Sequence, residues 1–90
     1  MQSSRLNPPA QKDLRRAFAE AIVERRNELA VSQEMLAEAC DLSVSYVSLL
    51  ERGQRNLTVY SAAKLAAALG MQTSQLVLLA EAKLKNLKRQ

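Results

Sequence analysis

The feature that most constrains this chain is a pair of short helical segments with almost nothing between them. Ser32 precedes QEMLAEAC, Ser43 precedes VSYVSLLER, and only three residues separate Cys40 from Val44. Each serine can accept a hydrogen bond from the N–H groups that a helix start leaves unpaired, and Glu34 suits the positive end of the first dipole. Gly53 follows Arg52 as a natural residue to end the second segment, and Asp41 is of a type that tolerates left-handed backbone. Helices this short are not stable alone. With a link this tight they must cross one another and pack against something longer.

The rest of the chain supplies that support. From Lys12 to Leu29 the apolar positions Leu14, Phe18, Ile22 and Leu29 recur at helical spacing. Met35, Leu36, Ala39 and Cys40 give the next segment its apolar face, and Val47 and Leu50 do the same for the one after. Thr58 opens VYSAAKLAAAL, which closes at Gly70. Thr73 or Ser74 opens a fifth helix, expected from about Gln75 to Lys88. There Val77, Ala80, Leu84 and Leu87 follow a 3-4-3 spacing, a seam predicted to form a dimer interface. The expected fold is all-α, a compact five-helix bundle containing a helix-turn-helix. Residues 1–11 are expected to be flexible, 12–79 to form the domain, and 73–90 to form a C-terminal dimerisation helix.

Chemistry is bounded by what the chain lacks. There is no histidine and a single cysteine, Cys40. That rules out an internal disulfide and Ser–His or Cys–His catalysis, and leaves a metal site without its commonest ligands. Cys40 reads as a small buried hydrophobe. No Gly-rich phosphate loop or convergent acid cluster is visible, and Glu20, Glu24 and Glu28 read as a solvated face paired with nearby arginines. An enzyme is therefore not expected, nor any cofactor, metal or small-molecule ligand. No apolar run is long enough to span a membrane and no signal sequence is apparent, so the expectation is a soluble, cytoplasmic protein.

Charge points to a partner. Residues 1–45 carry six Lys/Arg against seven Asp/Glu, whereas residues 46–90 carry seven against two. The basic excess begins in the second short helix and returns at Lys83, Lys85, Lys88 and Arg89. This asymmetry suits a polyanion.

The run LAVSQEMLAEACDLSVSYVSLLERGQRNLTVYSAAKLAAALGM resembles the helix-turn-helix domain of the phage repressor and Cro class, the xenobiotic response element family. SQEMLAEA, SVSYVSLLERG and LAAALG match its second, third and fourth helices in order and spacing. The short length, ERGQRNLT and the extra C-terminal helix also resemble the controller proteins of restriction–modification systems. Stand-alone repressors and antitoxins share the same domain.

The resemblance implies a lambda-repressor-like fold with the third helix as the DNA recognition helix, a placement that suits an α-helix in a major groove. Carried over by position, Ser43, Val44, Ser45, Tyr46, Ser48 and Leu49 face DNA. Gln33 matches a position that grips a phosphate, and Arg52, Arg55 and Asn56 match the loop that approaches the sugar–phosphate backbone. Arg26 and Glu51 match a pair joining the first helix to the third, and are read as scaffold. Ala30 and Asp41 occupy turn positions where the family has glycine. Left-handed alanine costs about 1 kcal/mol, so the first turn is expected to adjust locally. Val44 and Leu49 stand where Arg, Gln or Lys often reads bases. They are expected to pack against thymine methyl groups instead.

The leading expectation is a sequence-specific transcriptional regulator, a homodimer on a pseudo-palindromic stretch of double-stranded DNA. The alternative is an antitoxin or adaptor whose main role is to bind a protein partner.

Overall fold

A computed structural model describes residues 6–88. Residues 1–5 of the predicted flexible segment, and Arg89 of the predicted basic tail, lie outside the described residues. Five helices follow in order: α1 (Gln11–Glu28), α2 (Gln33–Cys40), α3 (Val44–Glu51), α4 (Val59–Ala68) and α5 (Thr73–Lys88). Among the described residues there is no strand. α3 lies across α1 and α2, α4 across α2 and α5, and α5 runs back along α1. No single helix among the described residues is long and apolar enough to cross a membrane.

The starts of α2, α3 and α4 are set by single hydroxyls. Ser32 Oγ accepts from the Met35 N–H (3.1 Å), Ser43 Oγ from Tyr46 N–H (3.0 Å) and Thr58 Oγ1 from Ser61 N–H (3.0 Å). Each satisfies one of the donors orphaned at a helix start, an arrangement worth about 1 kcal/mol. α5 starts differently from expectation. It begins at Thr73, and the Gln75 side chain reaches back to accept from Gln72 N–H at 2.7 Å. Neither Thr73 nor Ser74 is its cap; a glutamine three residues into the helix does that work.

Four helix ends share one geometry. After α1, α2, α3 and α4, the chain turns through a left-handed residue: Ala30, Asp41, Gly53 and Gly70. In each case the next residue's N–H returns to a carbonyl one turn back, as in Val31 to Arg26, Leu42 to Ala37, Gln54 to Leu49 and Met71 to Ala66. Two of the four use glycine. Asp41 behaves as expected, but the turn at Ala30 does not adjust: Ala30 itself takes φ +56°. The paired backbone bonds and the packing of α1 against α3 hold it there, against a strain of about 1 kcal/mol.

The core is built of small and branched aliphatics. Ile22, Leu36, Val47, Leu65, Leu69 and Leu76 are its largest fully buried side chains. In α1 the buried residues are Ala17, Ala19, Ala21 and Ile22, while Leu14 and Leu29 are exposed. In α2, Met35 and Ala39 are likewise on the surface, and Ala37 takes the inward place beside Leu36 and Cys40. Alanine is the residue that lets helices of a small bundle approach closely, so leucine positions alone misplace the stripe. Cys40 is buried, its thiol donating to the Lys64 carbonyl at 3.6 Å. Burial pushes that thiol upward from its ordinary range, against a smaller opposing effect of Lys64.

Candidate nucleic-acid interface

The inner side of α3 is fixed by more than apolar contact. Val47 and Leu50 are buried in the core. At the helix end the Glu51 carboxylate, only 4% exposed, receives Arg26 Nε at 2.7 Å and Nη2 at 2.9 Å. Gln33 Nε2 donates to the same carboxylate at 2.8 Å, and Arg26 Nη1 donates to the Val31 carbonyl at 2.9 Å. One guanidinium thus joins α1, the turn before α2 and the end of α3. The hydrogen bond to Glu51 holds Arg26 still more firmly in its charged form, overriding the opposing effect of burial.

This arrangement revises the reading of Gln33. A phosphate grip was expected, yet a hydrogen of its amide is committed to Glu51. Its side chain therefore acts first as a brace between α2 and α3. Only its other amide hydrogen and the N–H groups at the start of α2 remain suited to a phosphate.

The outer side of α3 is open. Ser43, Val44 and Ser45 are exposed, and Ser48 and Leu49 are half-buried. These five form one face on the first two turns, where an inserted helix comes closest to base edges. Tyr46 has a different place. It is half-buried, its hydroxyl donates to the Asn56 carbonyl at 3.3 Å, and the Arg55 guanidinium stands 5.6 Å from its ring centroid. Tyr46 is a platform that holds the loop after α3, with a cation over its face. Arg52 lies exposed along the helix, Nε to the Ser48 carbonyl at 3.4 Å.

Arg15 was not singled out by sequence reasoning, and it completes the loop. Its Nε donates to the Gly53 carbonyl at 3.1 Å and its Nη1 to Asn56 Oδ1 at 3.5 Å. Arg25 serves α4 in the same way, Nε to the Leu69 carbonyl at 2.9 Å. Both satisfy carbonyls that helix ends leave unpaired. Neither shows in local spacing, because its partner is about forty residues away and is a main-chain atom. The acidic face of α1 is also only partly as expected. Glu20 and Glu28 pair with Arg16 and Arg25, but Glu24 pairs with Lys83 on α5.

That ion pair marks where α5 goes. Ala80, predicted to lie on a dimer seam, is fully buried inside the chain and meets no outside surface. Leu84 and Leu87 are half-buried against the same core. The 3-4-3 spacing is real, but much of the face it marks is turned to α1, which supplies the partner helix. Val77 is the most open of the four. It lines an apolar groove of about 340 Å3 with Leu14, Phe18, Leu57 and Val59. Among the described residues no group of three or more His, Cys, Asp or Glu could hold a metal ion.

Comparison with known proteins agrees with this geometry. Residues 22–76 match the family described as Helix-turn-helix. A hypothetical transcription factor of Neisseria meningitidis is 39% identical over 77 residues, 86% of this chain and 73% of that protein. The restriction–modification controller protein C.AhdI of Aeromonas hydrophila superposes with a TM-score of 0.67 at 39% identity, covering 69% of this chain and 94% of that one. A second controller protein, C.Esp1396I, was solved as a tetramer on its natural 35 base-pair operator. It superposes with a TM-score of 0.73 at 27% identity over 79% of this chain and 93% of that one.

Proposed function

The chain belongs to the helix-turn-helix family, and we propose that it is a sequence-specific DNA-binding transcriptional regulator, a homodimer on a pseudo-palindromic operator in the cytoplasm. The observation that carries this reading is the two-sided build of α3. Its inner side is tied at three points by Arg26 and Gln33 on Glu51, while on its outer side Ser43, Val44 and Ser45 are exposed and Ser48 and Leu49 half-buried. A rigidly held helix with an open polar-apolar face is what insertion into a major groove requires.

In this reading Arg52, Arg55 and Asn56 approach the backbone of one strand, and the start of α2 at Gln33 approaches a phosphate. Tyr46 positions Arg55 and Asn56 rather than reading a base. Val44 and Leu49 meet thymine methyl groups, so specificity rests on the serines, on DNA shape and on the spacing of two half-sites about 34 Å apart. The operator complex of C.Esp1396I supports both the DNA partner and an oligomeric assembly. Val77, beside exposed Val59 and Leu78, supports pairing through the open side of α5. The alternative, a module that chiefly binds a protein partner, draws on the same exposed residues.

Electrophoretic mobility assays separate the two. The protein should prefer a duplex recovered by in vitro selection over a random duplex at every salt concentration tested, and light scattering should show a dimer. Equal affinity for both duplexes throughout a salt series sinks the regulator reading.

A further inference from the structure

Resting on the DNA-binding reading above, a second cationic surface stands beside the end of α3 and comes from α1. The Gly53 backbone lies against α1, so close that a methyl carbon placed on Gly53 would sit 3.6 Å from Arg16 Cα. Arg15 is bonded to the Gly53 carbonyl, Arg52 precedes Gly53 and Arg55 follows it. Four guanidinium-bearing residues therefore gather at one turn. Of the nearby acids, Glu20 pairs with Arg16 and Glu51 is already bound to Arg26, so the four arginines outnumber the carboxylates left to them. The Arg16 side chain is 61% exposed and, among the described residues, pairs with Glu20 at 3.2 Å, a surface pair of the kind that contributes little to stability.

We propose that this cluster is a phosphodiester site: Arg16, backed by Arg15 and Arg52, takes the backbone of duplex DNA beyond the base pairs that α3 reads. The need for it follows from the recognition face. Val44 and Leu49 provide no hydrogen bonds to bases, so affinity must come disproportionately from phosphate contacts. Arg15 is a positioning residue, since its Nε and Nη1 hold the turn. Arg16 is the contact. On binding, its guanidinium exchanges the Glu20 carboxylate for a phosphate oxygen, one charge-assisted hydrogen bond for another. Such a contact adds affinity without sequence preference.

The salt dependence of binding tests this directly. Affinities of wild type, Arg16→Gln, Glu20→Gln and Lys85→Gln are measured across a salt series, on a duplex selected in vitro and on a random-sequence duplex of equal length. Arg16→Gln should reduce the slope of log affinity against log salt by about 0.9. A fourfold rise in salt then costs it about 3.5-fold less affinity than wild type. Both duplexes should lose affinity equally, leaving the preference between them unchanged. Glu20→Gln should tighten binding to both. Lys85→Gln, on the exposed side of α5, sets the size of a purely long-range charge effect. Thermal unfolding verifies that each variant is folded. A slope for Arg16→Gln equal to that of Lys85→Gln overturns the proposal, as does a changed preference between duplexes. A wild type without preference between duplexes overturns the regulator reading instead, and the slope on random DNA still decides the fate of Arg16.

Discussion

The two sides of α3 are built on opposite principles, although they share eight residues. On the inner side every polar atom is spoken for: Glu51 accepts three hydrogen bonds, and Val47 and Leu50 are packed into the core. On the outer side, small hydroxyls and two aliphatic side chains stand in the open. The inner side spends interactions on geometry, and the outer side leaves them available for a partner. A helix of two turns has no rigidity of its own to offer a ligand. Whatever precision the outer face has is therefore borrowed from the Arg26–Glu51–Gln33 junction.

The largest expected effect comes from breaking that loan. Glu51→Ala leaves the Arg26 guanidinium largely buried without its counter-charge and strands the Gln33 amide. Removing one partner of a buried ion pair costs about 3 kcal/mol or more, and urea denaturation should show a loss of that order. DNA affinity should fall with it, because the frame has failed. Arg26→Lys, which keeps the charge, should cost less than Glu51→Ala but still destabilise, since an ammonium cannot match the two-point contact on the carboxylate and still reach the Val31 carbonyl. If Glu51→Ala is as stable as wild type, the inner side is not the frame described here.

The outer side should respond in the opposite sense. Val44→Ala and Leu49→Ala remove methyl groups that are expected to meet thymine, at a cost of about 1 kcal/mol in operator affinity each. Val44, which is 43% exposed, should leave the urea midpoint almost unchanged. Leu49 is half-buried and should lose some stability as well. Gel-shift titrations on selected duplexes, with thymine replaced by uracil at single positions, locate the contact. An Ala variant that binds the thymine and uracil duplexes just as wild type does removes the methyl contact from the picture.

What the sequence made legible follows the same division. Caps at Ser32, Ser43 and Thr58 and the glycine ends at Gly53 and Gly70 are local, so spacing alone located them. The Arg26–Glu51 pair is suggested by family likeness alone, and the two side chains meet at 2.7 Å. Contacts whose partner is a distant carbonyl, such as Arg15 on Gly53 and Arg25 on Leu69, carry no periodic signal and were not visible. The buried stripe of α1 is legible only in part: Ile22 and Phe18 pack inward as their spacing predicts, whereas Leu14 and Leu29 do not. Hydropathy favours Leu14 and Leu29, while close helix approach favours Ala17 and Ala21, and in a bundle this small proximity wins. Ala80 in α5 reads as a seam residue from its spacing, yet it is buried within the chain. A 3-4-3 spacing says that a helix has a partner, not that the partner is another chain.

The smallest effect is also the cleanest separation of the two sides. Ala30 and Gly53 hold nearly the same left-handed turn, after α1 and α3 respectively. Ala30→Gly relieves the strained φ but gives the unfolded chain more freedom, and the balance should favour the folded protein by about 0.5 kcal/mol. Gly53→Ala runs the other way. The added methyl has room, 3.6 Å from Arg16 Cα, so its cost is mainly conformational, about 1 kcal/mol. Yet the sites differ in what surrounds them. Ala30 lies on the frame side, so its variant should change stability and leave DNA affinity alone. Gly53 carries the turn where Arg15, Arg52 and Arg55 gather, so displacing it should weaken DNA binding beyond what the lost stability explains. Urea midpoints and gel-shift affinities on the same two variants read both quantities. An Ala30→Gly protein that binds DNA differently from wild type would show that the frame and the reading face are not separable.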